Sequence, residues 1–178
     1  RLAALIDQPN TRQFMPWMGT FHGICVRILR RDGPAIGVPS NFIIYDEADR
    51  QGLIKQAMKQ LSIAPDKLKP RSVSAAISNA KNDLLTPDDY AAAAQYPNQQ
   101  HIAKIYDRYE QLRSEAGALD FDDLLIETVR LLRDASEIRQ KYRQYFKYIL
   151  IDEYQDTNAA QYAIVKYLVN DARNICVV

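Results

Sequence analysis

The sequence predicts an α/β fold that is mostly helical, with a parallel sheet built from its two ends and a helical insertion between them. Tyr148-Ile149-Leu150-Ile151 and Ile175-Cys176-Val177-Val178 are continuous apolar runs, the pattern of parallel strands buried on both faces, and a helical stretch separates them. A further short run, Phe42-Ile43-Ile44-Tyr45, lies far upstream. Between residues 45 and 118 apolar residues recur instead at helical spacing, broken by turns.

In chain order, residues 14–20 read as a strand ending at Trp17-Met18-Gly19-Thr20. Phe21, Ile24, Cys25, Ile28 and Leu29 then recur on one helical face, and Gly33-Pro34 stops that helix. After the strand at 41–45, Asp46 suits the N-cap of a helix whose stripe is Leu53, Ile54, Ala57, Met58 and Leu61. Pro65 and Pro70 bracket a basic loop, and Val73, Ala76, Ile77 and Ala80 mark the next helix. Thr86-Pro87-Asp88-Asp89 is a helix start, with a cap, a proline in the first turn and acids at the positive end. Ile102, Ile105, Tyr106, Tyr109 and Leu112 form a longer stripe that ends near Gly117. Asp120 caps a helix with Phe121, Leu124, Leu125, Thr128 and Leu132 expected on its inner face. One helix start accounts for Asp120, Asp122 and Asp123, so they are not expected to be a metal cluster. Ala163, Ile164 and Leu168 are the expected buried residues of the helix between the last two strands.

Composition narrows the class. The 178 residues are 47% hydrophobic and 25% charged, as in globular proteins. No apolar run is long enough for a membrane span, and the opening RLAALIDQPN lacks a signal-peptide pattern. With Cys25 and Cys176 as the only cysteines, a disulfide framework is unexpected and a cytoplasmic location fits. His22 and His101 are too isolated for a zinc site. The formal net charge of +1 gives no global sign of a polyanionic partner. Residues 1–33 nevertheless carry five arginines against two aspartates, and Lys67, Lys69 and Arg71 cluster in the otherwise neutral stretch 45–118.

The chemistry lies at Asp152-Glu153, directly after the apolar run 148–151. The carboxyl end of a parallel strand faces the ligand crevice of an open α/β sheet. There one acid can hold magnesium, directly or through water, while the next polarises an attacking water. The dipeptide alone reads equally well as a cap for the following helix.

The longer string Asp152-Glu153-Tyr154-Gln155-Asp156-Thr157-Asn158, with Gln161 three residues on, resembles motif II of superfamily 1 DNA helicases of the UvrD/PcrA/Rep type. Other segments agree in order. Thr20-Phe21-His22 resembles that family's TFH motif, and Asn41-Phe42 through Tyr45-Asp46 its NFxIxD segment. Ile77-Ser78-Asn79-Ala80-Lys81-Asn82 resembles a helix of its 1B subdomain, and Leu119-Asp120-Phe121-Asp122-Asp123-Leu124-Leu125 its LDFDDLL segment.

The resemblance implies an incomplete RecA-like, P-loop NTPase sheet formed by residues 1–44 and 119–178, with a helical 1B-type subdomain at 45–118. It implies ATP and Mg2+ as cofactors of a longer parent protein, with Asp152 at the metal, Glu153 as catalytic base and Gln155 coupling nucleotide state to the motor. Thr20 and His22 would lie by single-stranded DNA. Independently of the resemblance, the basic cluster Lys67, Lys69 and Arg71, with Lys81, is the expected contact to duplex at a single-strand/double-strand junction, although a solvated basic face is the commoner meaning of such a cluster. The parent would unwind DNA, 3′ to 5′, in repair or replication. No GxxxxGK[ST] phosphate loop occurs in these residues, nor does the GDxxQS segment or a second motor domain. The chain is therefore expected to be a piece, inactive alone, whose partners include the Walker A segment and domains 2A and 2B. A rival expectation is a helical DNA-binding or protein-interaction module carrying an inert motor motif.

Overall fold

A computed structural model describes residues 17–178. Helix α1 (Phe21–Asp32) starts because the Thr20 hydroxyl accepts from the Gly23 amide at 3.2 Å, and it leads into a 3-10 turn at Gly33–Ile36. Gly37, at φ 83°, lets the chain leave that turn. Strand β1 (Ile43–Ile44) then passes to α2 (Glu47–Gln60), which opens with a capping box between Asp46 and Asp49. Helices α3 (Pro70–Asn82) and α4 (Pro87–Ala93) follow, each with proline in its first turn, then the long α5 (Pro97–Glu115). Strand β2 (Ala118–Leu119), α6 (Phe121–Asp134) and α7 (Ser136–Tyr145) lead to β3 (Ile149–Ile151). A 3-10 turn at Tyr154–Asp156, helix α8 (Ala159–Leu168) and β4 (Ile175–Val177) complete the described chain.

Two apolar cores result. One gathers Ile54, Ala57, Met58, Val73, Ile77, Ile105, Tyr106 and Tyr109 from α2, α3 and α5. The other gathers Cys25, Ile28, Leu29, Phe42, Leu119, Leu124, Leu125, Leu132, Tyr142, Ile164 and Leu168. The fold is thus mostly helical with small parallel sheets.

Five expectations need correction. The upstream strand and the two late strands do not share one sheet among the described residues. β1 pairs in parallel with β2, and β3 pairs in parallel with β4, as two separate two-stranded sheets. β2 has only two residues, too short for any periodicity to announce it. Positions 14–16 of the first expected strand lie outside the described residues, and 17–20 form a turn and a bend.

The late strands are not buried on both faces. Ile149 packs against a core and Ile151 is buried, but Leu150 points the other way and is 79% exposed. Ile175, Cys176 and Val177 are exposed as well.

Phe121 is also not an inner residue; it is 52% exposed. Helical side chains lean toward the N-terminus, so a first-turn side chain overhangs the end of the helix rather than the core.

Lys81, finally, is not on the surface but sealed inside the protein.

Candidate functional site

The acid pair sits where β3 ends. Asp152 and Glu153 are both exposed. Asp152 has no hydrogen-bond or ion-pair partner among the described residues. Glu153 adopts the left-handed conformation, φ 51° and ψ 39°, which costs a non-glycine residue about 1–3 kcal/mol. The turn is closed by Asp156 N donating to Glu153 O at 3.0 Å and Tyr154 N donating to Val178 O at 3.0 Å. The Gln155 side-chain amide donates to Glu153 Oε2 at 2.6 Å, which orients the carboxylate. Asn158 then caps α8, accepting from Gln161 N at 2.8 Å, so neither acid of the pair serves as that cap.

Thr20 and Asp152 line one cleft of about 250 Å³, together with apolar residues that include Trp17, Phe21, Ile149 and Ile164. The Thr20 hydroxyl is engaged as the α1 cap. His22 is half-buried, with its ring edge-on to Phe121 at 5.7 Å, and burial lowers its pKa against the opposing pull of Asp122. The exposed Phe121 beside His22 is an aromatic surface that helical spacing alone assigns to the core.

Lys67, Lys69 and Arg71 are exposed and make no ion pair among the described residues. Lys69 is the N-cap residue of α3 and Arg71 lies in its first turn, so the cluster sits at a helix start as well as on the preceding loop.

Lys81 belongs elsewhere. Its ammonium is 2.6 Å from Asp123 Oδ1, 2.9 Å from Asp120 Oδ2 and 2.7 Å from Glu110 Oε1, and its side chain is 1% exposed. A cation held by three carboxylates inside the protein cannot reach a phosphate, so Lys81 is removed from the expected DNA contacts. Tyr109 Oη donates to Asp120 Oδ2 at 2.6 Å, and Arg113 Nε lies 2.9 Å from Asp123 Oδ2. Arg50 Nη1 and Ser78 Oγ both donate to Asp122 Oδ2, at 2.9 and 2.7 Å. Burial disfavours the charged Lys81, but Asp123, Glu110 and Asp120 outweigh it and raise its pKa well above the ordinary lysine value. Burial likewise opposes ionisation of Asp120, yet Lys81 and the Tyr109 hydroxyl hold its carboxyl below the usual range. Asp120 caps α6 as expected, and Asp123 completes a capping box with it. With Asp122, which takes Arg50 of α2, they close a network across α2, α3, α5 and α6 that sequence spacing could not reveal.

A sequence model described as the UvrD/REP helicase N-terminal domain matches residues 1–178. This chain belongs to that family. Among curated UvrD/REP-type relatives, the "ATP-dependent DNA helicase PcrA" of Leuconostoc citreum is 42% identical over 178 residues, covering 100% of this chain and 24% of that protein. The proteins of the same description from Staphylococcus epidermidis and Staphylococcus aureus are 46% identical over 162 residues, covering 91% of this chain and 22% of theirs. The chain therefore spans about a quarter of the length of the relatives it matches.

The magnesium expected of such a UvrD/REP domain can be tested against the donor set. No group of three or more His, Cys, Asp or Glu side chains that could hold a metal exists among the described residues. A single unpartnered carboxylate, Asp152, fits a hard cation that takes its other ligands from water and nucleotide phosphates. It does not fit a resident metal centre. No described helix is long and apolar enough to cross a membrane.

Proposed function

We propose that this chain is part of the motor of an ATP-dependent DNA helicase that unwinds DNA 3′ to 5′, with residues 45–118 as a 1B-type subdomain set into a partial RecA-like domain. The observation that carries the reading is the Asp152-Glu153 pair at the carboxyl end of a parallel strand, within a family of ATP-dependent DNA helicases. Both acids are exposed, and no cation among the described residues pairs with either. Asp152 would hold Mg2+, which neutralises phosphate charge when bound. Glu153 polarises the attacking water, and Gln155 holds the Glu153 carboxylate in place. Thr20, His22 and the exposed ring of Phe121 form the face offered to single-stranded DNA, where an aromatic ring can stack on a base. Lys67, Lys69 and Arg71 meet duplex phosphates.

The test uses the full-length protein. Glu153→Gln should keep nucleotide binding and lower DNA-stimulated hydrolysis by about two orders of magnitude or more. Wild-type turnover in that variant would reduce the acid to a turn residue and leave the motor motif inert.

A further inference from the structure

The Asn158 amide has a determined orientation. Its Oδ1 is committed to the Gln161 amide as the α8 cap, so its Nδ2 faces outward and donates to Asn82 Oδ1 at 2.5 Å. That bond crosses between the segment following the acid pair and the last residue of α3.

Both sides of the bond are stiff. From Glu153 to Asn158 the chain is braced by Asp156 N to Glu153 O at 3.0 Å, and by Thr157, whose amide and hydroxyl both donate to Tyr154 O. A shift of Asp152 and Glu153 is therefore passed along to Asn158 instead of being absorbed. Across the bond, Asn82 follows Lys81, whose ammonium is locked to Asp120, Asp123 and Glu110. Helix α3 is continuous from Pro70 to Asn82, a rod about 20 Å long. Its far end carries Lys69 and Arg71.

We infer that Asn158 and Asn82 are positioning residues, linking the nucleotide-facing turn to the end of α3 so that nucleotide state and DNA engagement report on each other. The inference rests on the ATPase reading above. The linkage is reciprocal: DNA held at the start of α3 restrains the turn bearing Glu153, as the turn restrains α3.

ATP turnover of the full-length protein, with and without a tailed duplex, tests this. N158S keeps a helix cap but removes the amide that reaches Asn82, with a side chain too short to replace it. N82L removes the acceptor, whereas N82D retains one. N158S and N82L should each lower DNA stimulation about fivefold or more. N82D should keep it, the N82L/N158S pair should be no worse than either single change, and DNA-free turnover of N82L should stay at the wild-type level. Wild-type stimulation in both N158S and N82L, or an equal drop with and without DNA, would overturn the link while leaving the ATPase reading intact. A wild-type protein whose turnover ignores DNA would overturn the reading and the link together.

Discussion

Lys81 Nζ lies 2.6 Å from Asp123 Oδ1, and the side chains of both residues are at most 3% exposed. Lys81 lies in the last turn of α3 and Asp123 in the first turn of α6, so this ion pair ties the helical unit to the rest of the chain. The surrounding group holds four carboxylates, Glu110, Asp120, Asp122 and Asp123, against three cations, Arg50, Lys81 and Arg113. Removing Lys81 would leave four carboxyl groups facing only Arg50 and Arg113.

Lys81→Ala should therefore destabilise the purified chain by about 3–5 kcal/mol, the usual consequence of deleting one partner of a buried ion group. Urea unfolding followed by circular dichroism measures it. A change under about 1 kcal/mol would place the group in a far wetter setting than its burial indicates.

The exposed cluster should behave differently. Changing Lys67, Lys69 and Arg71 to Gln in the full-length protein should reduce the salt slope of duplex binding by about 0.9 for each phosphate that is no longer neutralised. Affinities for a tailed duplex across a salt series give the slope, and an unaltered slope would return all three to the solvated surface.

Asp152→Ala in the same protein should weaken magnesium-dependent nucleotide binding, in contrast to Glu153→Gln, because Asp152 is the acid with no side-chain partner among the described residues whereas Glu153 is held by Gln155. Titration of a fluorescent nucleotide with and without Mg2+ separates the two variants. Identical behaviour of both would refute the division of roles.

Burial lowers the pKa of His22 in the folded chain, so the unfolded state binds its proton more readily. Between that lowered value and the ordinary value near 6.5, the unfolded state carries more protons and stability rises with pH. The His22 contribution is thus fully present above about pH 6.5 and lost as pH falls through that window. His22→Gln should flatten the pH dependence of the unfolding midpoint just below about pH 6.5. An undiminished slope would assign that dependence to other groups.

Hydrogen exchange should rank the elements by burial. Amides of α5 and α6, whose inner faces hold Tyr109, Leu112, Leu124 and Leu131, should exchange slowly, and those of β4 much faster. The exposed Tyr148, Leu150 and Val178 side chains make concentration-dependent self-association in sedimentation an accompanying expectation. Uniform protection through β4 in a strict monomer would contradict both.

Much of the fold is legible in the sequence, for physical reasons. Helix starts are local chemistry, so Asp46, Thr86 and Asp120 announce their caps, and each forms a capping box. Stripes such as Ile105, Tyr106, Tyr109 and Leu112 follow from helical geometry and are buried. Asp152 and Glu153 stand out because an apolar run ending in acids is a local pattern too. What spacing cannot convey is which distant partner a charge meets. In the sequence Lys81 resembles any helix-surface lysine, because its three carboxylates lie 29 to 42 positions along the chain. Leu150 departs from the burial its strand predicts because an apolar run does not say what covers each face. Helix α7 leaves no stripe to read, since only Tyr142 of its ten residues is fully buried.

The pairing of β1 with β2 has a consequence for how such a chain can be altered. Ile43 N donates to Gly117 O and Tyr45 N to Leu119 O, so the chain departs into its helical excursion and comes back at neighbouring points. Everything from α2 to α5 is joined covalently to the rest of the chain through a single doorway about one strand spacing wide. Two cuts there would leave the excursion held only by side-chain contacts such as Lys81 to Asp123 and Asn158 to Asn82, and a foreign helical bundle with closely set ends could be spliced into the gap. Such a graft would need to supply its own counterparts to Arg50, Lys81 and Arg113, since the doorway is lined with the acids they now neutralise.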